Sequence, residues 1–241
     1  MIFRGEKKMA ENVVKIPETE NATGNEKLVR FLTNYKVALI ALLGTIVIAI
    51  AGYVVVYSVG SKGVNKGLDK IEYIQYQFTK DASSLSEADF TERADAALRS
   101  LEGLLSKGGI VGARANMLAA DIYGQKKDFV QAKDLWLTAA AKGKGSYVAP
   151  LCKFEAAVCA DEIQSNSDEA LALYEEAAAD VNFPARSRAY FNAGRIKEAK
   201  GDFNGAKAAY DAIANLELSN DPWSDNAKSR IIALKIEGKI E

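Results

Sequence analysis

One uncharged stretch limits what this chain can fold into more than any other feature. Val37–Val59 holds 23 residues without a charged side chain, with Lys36 before it and Lys62 shortly after it. As an α-helix the stretch would be about 35 Å long at about 1.5 Å per residue, enough to cross a hydrocarbon core of about 30 Å. We therefore predict a transmembrane helix at residues 36–59.

Three other readings of this stretch are weaker. A buried helix of this length in a soluble core would rarely lack every charge. A cleaved signal peptide has an apolar run of about 7–15 residues near the start of the chain, whereas 36 residues precede this run. No cysteine follows the run closely, which argues against a lipoprotein anchor. An uncleaved signal-anchor in a single-pass protein fits best.

The flanking charges do not by themselves orient this anchor. Three cations lie on each side of the stretch: Lys27, Arg30 and Lys36 before it, and Lys62, Lys66 and Lys70 after it. Long domains cross a membrane largely regardless of charge, and a short tail before a signal-anchor usually stays inside. We predict a largely disordered cytoplasmic tail at residues 1–35, with residues 26–36 continuing as helix into the membrane. The C-terminal domain is then periplasmic, at the bacterial inner membrane.

The composition excludes several function classes. Lys and Arg number 31 against 32 Asp and Glu, so no basic excess exists to hold a nucleic-acid backbone. Histidine is absent, which removes the commonest general base and metal ligand. We predict no catalytic residue, no cofactor and no metal site. The part of the chain after the stretch is long enough for one domain with its own core.

The two cysteines are too far apart for a disulfide within one helix. Cys152 and Cys159 are seven residues apart, which is about 10.5 Å along a helix and beyond the Cα separation that a disulfide tolerates. We predict that they pack as small apolar side chains.

The remaining sequence predicts an all-helical array. Ser61–Gly63 is a short polar break after the anchor. Residues 60–84 are predicted as a linker and a first helix, whose apolar residues recur at spacings of three and four. Residues 85–241 are predicted as a repeat domain that ends in a capping helix from Trp223 to Lys235. In that last helix Lys228, Arg230 and Lys235 are expected to face water.

Three segments of this domain repeat one pattern. Each has an alanine, an aromatic residue four positions later and a smaller apolar residue seven positions later. The alanines lie 38 and 36 residues apart, and a weaker copy starts at Phe90. Alanine permits close approach of a paired helix, and the aromatic fills the space toward the next pair. The three copies are Ala132, Trp136 and Ala139; Ala170, Tyr174 and Ala177; and Ala206, Tyr210 and Ile213.

This pattern resembles the tetratricopeptide repeat over about residues 85–220. Ala119-Ala120 with Tyr123, and Ala193-Gly194, match the first helix of that repeat. The middle copy departs from it, because Asp161 stands where a tyrosine is expected. With its tail and single anchor, the whole chain is similar to the YfgM-like ancillary subunits of the Sec translocon. That resemblance implies contact with translocon subunits, extracytoplasmic chaperones or client chains.

In the tetratricopeptide register, one set of first-helix residues would line a protein-binding groove. Cys152 and Cys159 fall in the same register. Residues of both charge signs beside a methionine and an aromatic would suit an extended or helical peptide. The predicted groove residues are Arg114, Met117, Asp121, Glu155, Glu162, Arg188, Phe191 and Arg195.

Two other roles are weighed against peptide binding. The chain could be an assembly subunit held through a seam of small residues on the anchor, since such seams let transmembrane helices approach closely. An enzyme is disfavoured, because adjacent carboxylates such as Glu175-Glu176 point about 100° apart on a helix and no phosphate loop is present. The sequence does not decide whether the chain forms homo-oligomers. The small-residue seam consists of Ala38, Ala41, Thr45, Ala49 and Gly52.

Overall fold

The computed structural model describes residues 24–163, 167–216 and 221–241. Within these ranges, the described structure leaves out the side chains of residues 26–27, 37, 39–41, 43–44, 54–59 and 83. The chain divides into two compact units, residues 1–59 and residues 60–241. Each unit is considered by itself below.

The described part of the first unit is helical. Helix α1 begins in this unit and has the bounds Gly24–Thr79. The expectation of helix at residues 26–36 is confirmed, whereas residues 1–23 of the predicted tail lie outside the description. Thr45 Oγ1 donates a hydrogen bond to the Leu42 carbonyl at 2.7 Å, which satisfies the hydroxyl within the helix. Exposed apolar side chains include Phe31, Leu42, Ile46, Val47, Ile48 and Ile50.

Among the described residues, no helix has the length and apolar character needed to cross a bilayer. Residues 37, 39–41, 43–44 and 54–59 of the predicted anchor have side chains outside the description. The anchor and its orientation stay predictions.

The second unit is built from helices joined by short turns. No strand occurs among the described residues of this unit, as the repetitive helical spacing predicts. A short 3₁₀ turn, Ala82–Ser84, follows the end of α1. The further helices are α2 (Glu87–Leu105), α3 (Gly109–Gln125), α4 (Phe129–Lys142), α5 (Val148–Glu162), α6 (Ser167–Ala179), α7 (Arg186–Ala199), α8 (Phe203–Ala214) and α9 (Pro222–Ile236).

These helices form a chain of pairs in which each pair packs on the next. From α2 to α9 every helix contacts its successor, and α3 also touches α5 while α7 touches α9. One buried cluster joins the end of α1 to α2 and α3, and another joins α5, α6 and α7. A third links α3, α4 and α5, and a fourth joins α8 to α9. The core is therefore distributed along the array, as in a solenoid.

The repeat pattern read from the sequence corresponds to the buried positions. Ala132, Ala170 and Ala206 are each fully buried, and so is Ala94 in the weaker copy. The positions four and seven residues later are buried or half-buried in every copy. The helices α2, α4 and α8 each begin with a side-chain cap. Ser86 Oγ accepts a hydrogen bond from the Asp89 N–H at 3.2 Å, and Asp128 Oδ1 accepts one from the Gln131 N–H at 3.2 Å. Asp202 Oδ1 accepts one from the Gly205 N–H at 2.9 Å.

One sequence expectation is wrong. The polar break predicted at Ser61–Gly63 is absent, because α1 runs through these residues to Thr79. No proline stands there, and a single glycine costs a helix only about 1 kcal/mol. Arg230 was expected to face water; 41% of its side chain is exposed, and it also binds the Glu198 carboxylate on α7. The predicted capping helix itself is confirmed as α9.

Candidate functional site

The exposed and half-buried side chains of α3, α5 and α7 form one surface, which we call the first-helix surface. It is defined by the eight predicted groove residues, of which none is fully buried. On α3 and α7 the residues stand at offsets of zero, three and seven, so they share one helix face. Leu68, Ile71 and Gln75 stand at the same offsets near the end of α1. The residues of this surface are Arg114, Met117, Asp121, Glu155, Glu162, Arg188, Phe191 and Arg195.

Three of the predicted residues line a single cavity, which we call the α3 pocket. Its volume is about 140 Å³. Apolar groups from three helices make most of its wall, and polar groups stand along α3 and at the end of α1. The sequence pattern predicted that Arg114, Met117 and Asp121 share this site, but it did not predict the other residues that line the pocket. The lining residues are Ile71, Gln75, Arg114, Met117, Leu118, Asp121 and Trp136.

Asp121 in the wall of this pocket, and Glu155, with which its charge interacts, are destabilised in their charged forms. Burial raises the pKa of Asp121, although a hydrogen bond from Gln125 Nε2 to Asp121 Oδ2 at 3.3 Å opposes the change. Burial also raises the pKa of Glu155, and the Asp121 charge adds to the rise while the Arg188 charge opposes it. Asp121 and Glu155 are therefore close enough to repel each other across α3 and α5.

A second, larger cavity lies at the far end of the surface, and we call it the α7 pocket. Its volume is about 610 Å³. Glu198 in its wall accepts hydrogen bonds from Tyr210 Oη at 3.0 Å and from Arg230 Nε at 3.3 Å. Arg195 in the same wall forms an ion pair with Asp161. The lining residues are Phe191, Arg195, Glu198, Ala199, Gly201, Phe203, Tyr210, Arg230 and Lys239.

The polar and aromatic groups of α7 are largely occupied by the protein itself. The Arg188 guanidinium lies 5.0 Å from the Phe154 ring centroid and 5.8 Å from the Trp223 centroid. The Phe191 ring is 5.5 Å from the Tyr210 ring and 5.2 Å from the Trp223 ring. Phe191 therefore packs against the capping helix instead of standing free as an aromatic anchor.

In the middle repeat, an ion pair stands where the tetratricopeptide pattern has a tyrosine. Asp161 on α5, which replaces the expected tyrosine, pairs with Arg195 on α7. An ion pair between neighbouring first helices thus takes the place of aromatic packing there. Glu162 is exposed at the end of α5 and lines neither of the two pockets.

Both cysteines are buried and free, as the small apolar reading predicts. Cys152 packs in the cluster of Ala113, Ala139 and Ala140, and Cys159 is buried as well, so the placing of both cysteines on the binding surface in the tetratricopeptide register is wrong. Burial, with a contribution from Glu155, raises the pKa of Cys152 to about 12 and that of Cys159 to about 11. These thiols stay protonated at neutral pH, which makes them poor nucleophiles.

The arrangement suits recognition of a partner. Within the described ranges, no three acidic or cysteine side chains are grouped so as to hold a metal ion. The α3 pocket instead offers a half-open apolar wall beside polar groups, which is the usual composition of a binding site. The sequence pattern did not predict that Trp136 and Trp223 contribute to this surface. For Trp136 the reason is that the repeat pattern assigns it to the packing between helix pairs.

Similarity to a known protein bears on the kind of repeat in this chain. No family model matches the chain. The chain is 37% identical over 149 residues to a TPR repeat-containing protein of Treponema pallidum (strain Nichols). The similar region covers 61% of this chain and 62% of that protein. Together with the buried alanine and aromatic positions of the helix pairs, this similarity supports a helical repeat of the tetratricopeptide type.

Proposed function

We propose that the chain is a membrane-anchored protein-interaction module. In this proposal it is an ancillary factor at the periplasmic face of a bacterial inner membrane, and it links the Sec translocon to extracytoplasmic chaperones during protein export and folding. The observation that carries the binding role is the α3 pocket, whose wall joins apolar side chains of three helices to the polar groups of Gln75, Arg114 and Asp121. The similarity to a TPR repeat-containing protein supports the same class of function.

Membrane anchoring is proposed from the sequence of the first unit. Val37–Val59 carries no charge over a length that can cross a bilayer. The exposed apolar side chains that the structure describes there, such as Ile46, Val47 and Ile48, would be costly in water. The assignment to the translocon comes from the resemblance to YfgM-like proteins.

A purely binding role without catalysis is part of the proposal. The buried cysteines have raised pKa values and cannot easily supply a thiolate. The raised pKa of Asp121 comes chiefly from burial, and the Glu155 charge raises the pKa values of the two nearby thiols further, which disfavours their nucleophilic form. Turnover by the purified chain of any substrate class would contradict this part of the proposal.

Site-specific crosslinking in intact membranes tests the proposal. A photo-crosslinking amino acid replaces Met117 in the α3 pocket, and in a matched variant it replaces Asp134, which is exposed on α4. We expect translocon subunits or extracytoplasmic chaperones to be captured from Met117 and not from Asp134. Capture of cytosolic proteins alone would overturn the proposal.

Topology is tested with the same preparation. Because Cys152 and Cys159 are buried, single exposed cysteines can be introduced with little background: Asn25→Cys in one variant and Lys144→Cys in another. A membrane-impermeant thiol reagent added to cells with a permeable outer membrane should label Lys144→Cys and should reach Asn25→Cys only after lysis. The reverse pattern would place the domain in the cytoplasm.

An assembly role through the anchor is the second candidate. Ala38, Thr45, Ala49 and Gly52 of the predicted seam are exposed, and a Cβ added at Gly52 would meet no atom within 4 Å. The side chain of Ala41, the remaining seam residue, lies outside the described residues. Replacing residues 37–59 by an unrelated transmembrane helix separates the two candidates. Partner capture should survive under the binding role and disappear under the assembly role.

A further inference from the structure

The carboxylates of the second unit differ in whether a cation binds them. Several that lie between neighbouring helices form ion pairs: Lys133 Nζ lies 2.7 Å from Glu169, Lys153 Nζ lies 2.7 Å from Glu176, and Lys197 Nζ lies 2.7 Å from Glu175. Asp121, in the wall of the α3 pocket, and Glu155 form no ion pair with any lysine or arginine of the described residues. The Asp121 charge raises the pKa of Glu155, so the two carboxylates are close enough to act on one cation.

The arginines of the first-helix surface form no ion pair with these two carboxylates. Arg188, whose charge opposes the rise in the pKa of Glu155, is stacked against two aromatic rings. Arg195 is paired with Asp161. Arg114 lines the same pocket as Asp121 but precedes it by seven residues, about 10.5 Å along the helix.

The wall of the α3 pocket complements the chemistry of a long cationic side chain. Ile71, Met117 and Leu118 provide an apolar lining that can cover an alkyl stem. Trp136 is the best of the aromatic side chains for attraction to a cation. An alkyl stem bound along this wall would place its charged head near Asp121. A volume of about 140 Å³ is enough for one side chain and not for a folded element.

We propose that the α3 pocket receives a lysine or arginine side chain from the bound protein segment, with Asp121 and Glu155 holding its charge. The proposal rests on the protein-binding function proposed above and names the feature of the partner that the site selects. A segment with a basic residue between apolar neighbours fits the pocket, because the apolar wall and the two acids are then satisfied together.

Binding of matched peptides to the full chain, purified in a non-ionic detergent, tests the proposal. Three short fluorescein-labelled peptides share one sequence of alternating leucine and serine and differ only at the central residue. That residue is arginine, norleucine or glutamate, so the norleucine peptide keeps an apolar stem without a charge. We expect fluorescence anisotropy to show about tenfold tighter binding of the arginine peptide than of the norleucine peptide, and still weaker binding of the glutamate peptide.

Two variants and a control locate the effect. Asp121→Asn and Glu155→Gln should each weaken binding of the arginine peptide about tenfold and leave that of the norleucine peptide unchanged. Glu176→Gln, which removes an exposed carboxylate on α6, should change neither. Far-UV circular dichroism of each variant confirms that its helices are intact.

The outcomes separate this proposal from the function on which it rests. Equal binding of the arginine and norleucine peptides, or tighter binding of the glutamate peptide, would overturn the acidic pocket while leaving a peptide-binding surface. If no peptide binds but crosslinking from Met117 still captures translocon proteins, the pocket proposal fails and the proposed function stands. If both experiments fail, both proposals are wrong.

Discussion

The contacts between helix pairs differ from the first-helix surface in side-chain packing and in ion pairing. Between the pairs, alanines allow close approach, aromatics fill the remaining gaps, and carboxylates such as Glu169 and Glu175 are bound by a lysine of a neighbouring helix. On the first-helix surface around α3, an open pocket stands beside two carboxylates that repel each other. Under the proposed binding function, the difference means that stability and recognition belong to different faces of the same helices.

The largest expected effect breaks the close contacts between pairs. In α7, a Cβ added at Gly194 would lie 2.5 Å from the buried Tyr210 ring. Gly194→Ala should therefore lower the free energy of unfolding by about 2–3 kcal/mol, since the ring has little room to move. Urea unfolding of the full chain in detergent, followed by far-UV circular dichroism, measures the change.

Gly124→Ala in α3 is the matched control for this variant. A Cβ added at Gly124 meets no atom within 4 Å. Alanine in a helix is favoured over glycine by up to about 1 kcal/mol, so this variant should be as stable as the natural chain or more stable. If Gly194→Ala behaved like Gly124→Ala, the tight packing of Tyr210 would not be what fixes α7 to α8.

A middle-sized effect tests the paired charges at the capping helix. Burial alone would raise the pKa of Glu198, but hydrogen bonds from Arg230 and Tyr210 lower it below its usual value. Glu198→Gln removes the charge and keeps the shape, and it should destabilise the protein at neutral pH by about 1–2 kcal/mol. Glu237→Gln, at an exposed pair with Lys239, should cost less than about 0.5 kcal/mol.

The pH dependence of Glu198→Gln has a definite sign. A carboxyl group with a lowered pKa in the folded state stabilises the protein above its unfolded pKa of about 4.5, and this contribution is lost as the pH falls through the lower folded value. The stability difference between the natural chain and the variant should therefore shrink below about pH 4.5. A difference independent of pH would mean that shape, and not charge, holds α9 on α7.

The smallest expected effect has the opposite sign and concerns the first-helix surface. Burial and the nearby Asp121 charge raise the pKa of Glu155, so its charged form opposes folding at neutral pH. Glu155→Gln should raise the free energy of unfolding at neutral pH by up to about 0.5 kcal/mol after screening by solvent. The gain should vanish below about pH 4.5, where the carboxyl is neutral in both states.

Thermal unfolding of Glu155→Gln across this pH range measures the effect. A loss of stability at neutral pH would show that Arg188 forms a favourable pair with Glu155, and the contrast between the two regions would then disappear. A gain in stability together with weaker binding of the arginine peptide would sharpen it, because the same carboxylate would then oppose folding and support recognition.

The periodic features of the fold were predictable from the sequence. The positions of Ala132, Ala170 and Ala206, and the aromatic residues that follow them, are fixed by helix geometry, and the structure buries them as expected. The offsets of Arg114, Met117 and Asp121 likewise follow from residues three and four apart sharing a helix face. These features depend only on local periodicity, so one sequence suffices to find them.

Features that depend on which helices meet were not predictable. The pairing of Arg230 with Glu198, the burial of Cys152 against α4 and the packing of Phe191 on Trp223 each join residues far apart in the chain. The continuation of α1 through residues 61–63 was also missed, since helix propensity is weak enough there for either outcome.

The sequence by itself determined that residues 60–241 form helix pairs and which side chains face the neighbouring pair, because a repeated 3.6-residue period leaves each pair with an apolar face to bury. Only the tertiary structure decided which charges are neutralised. Ion pairs form between helices whose spacing depends on packed side chains, and among the described residues that spacing leaves Asp121, in the wall of the α3 pocket, and Glu155 without an ion pair.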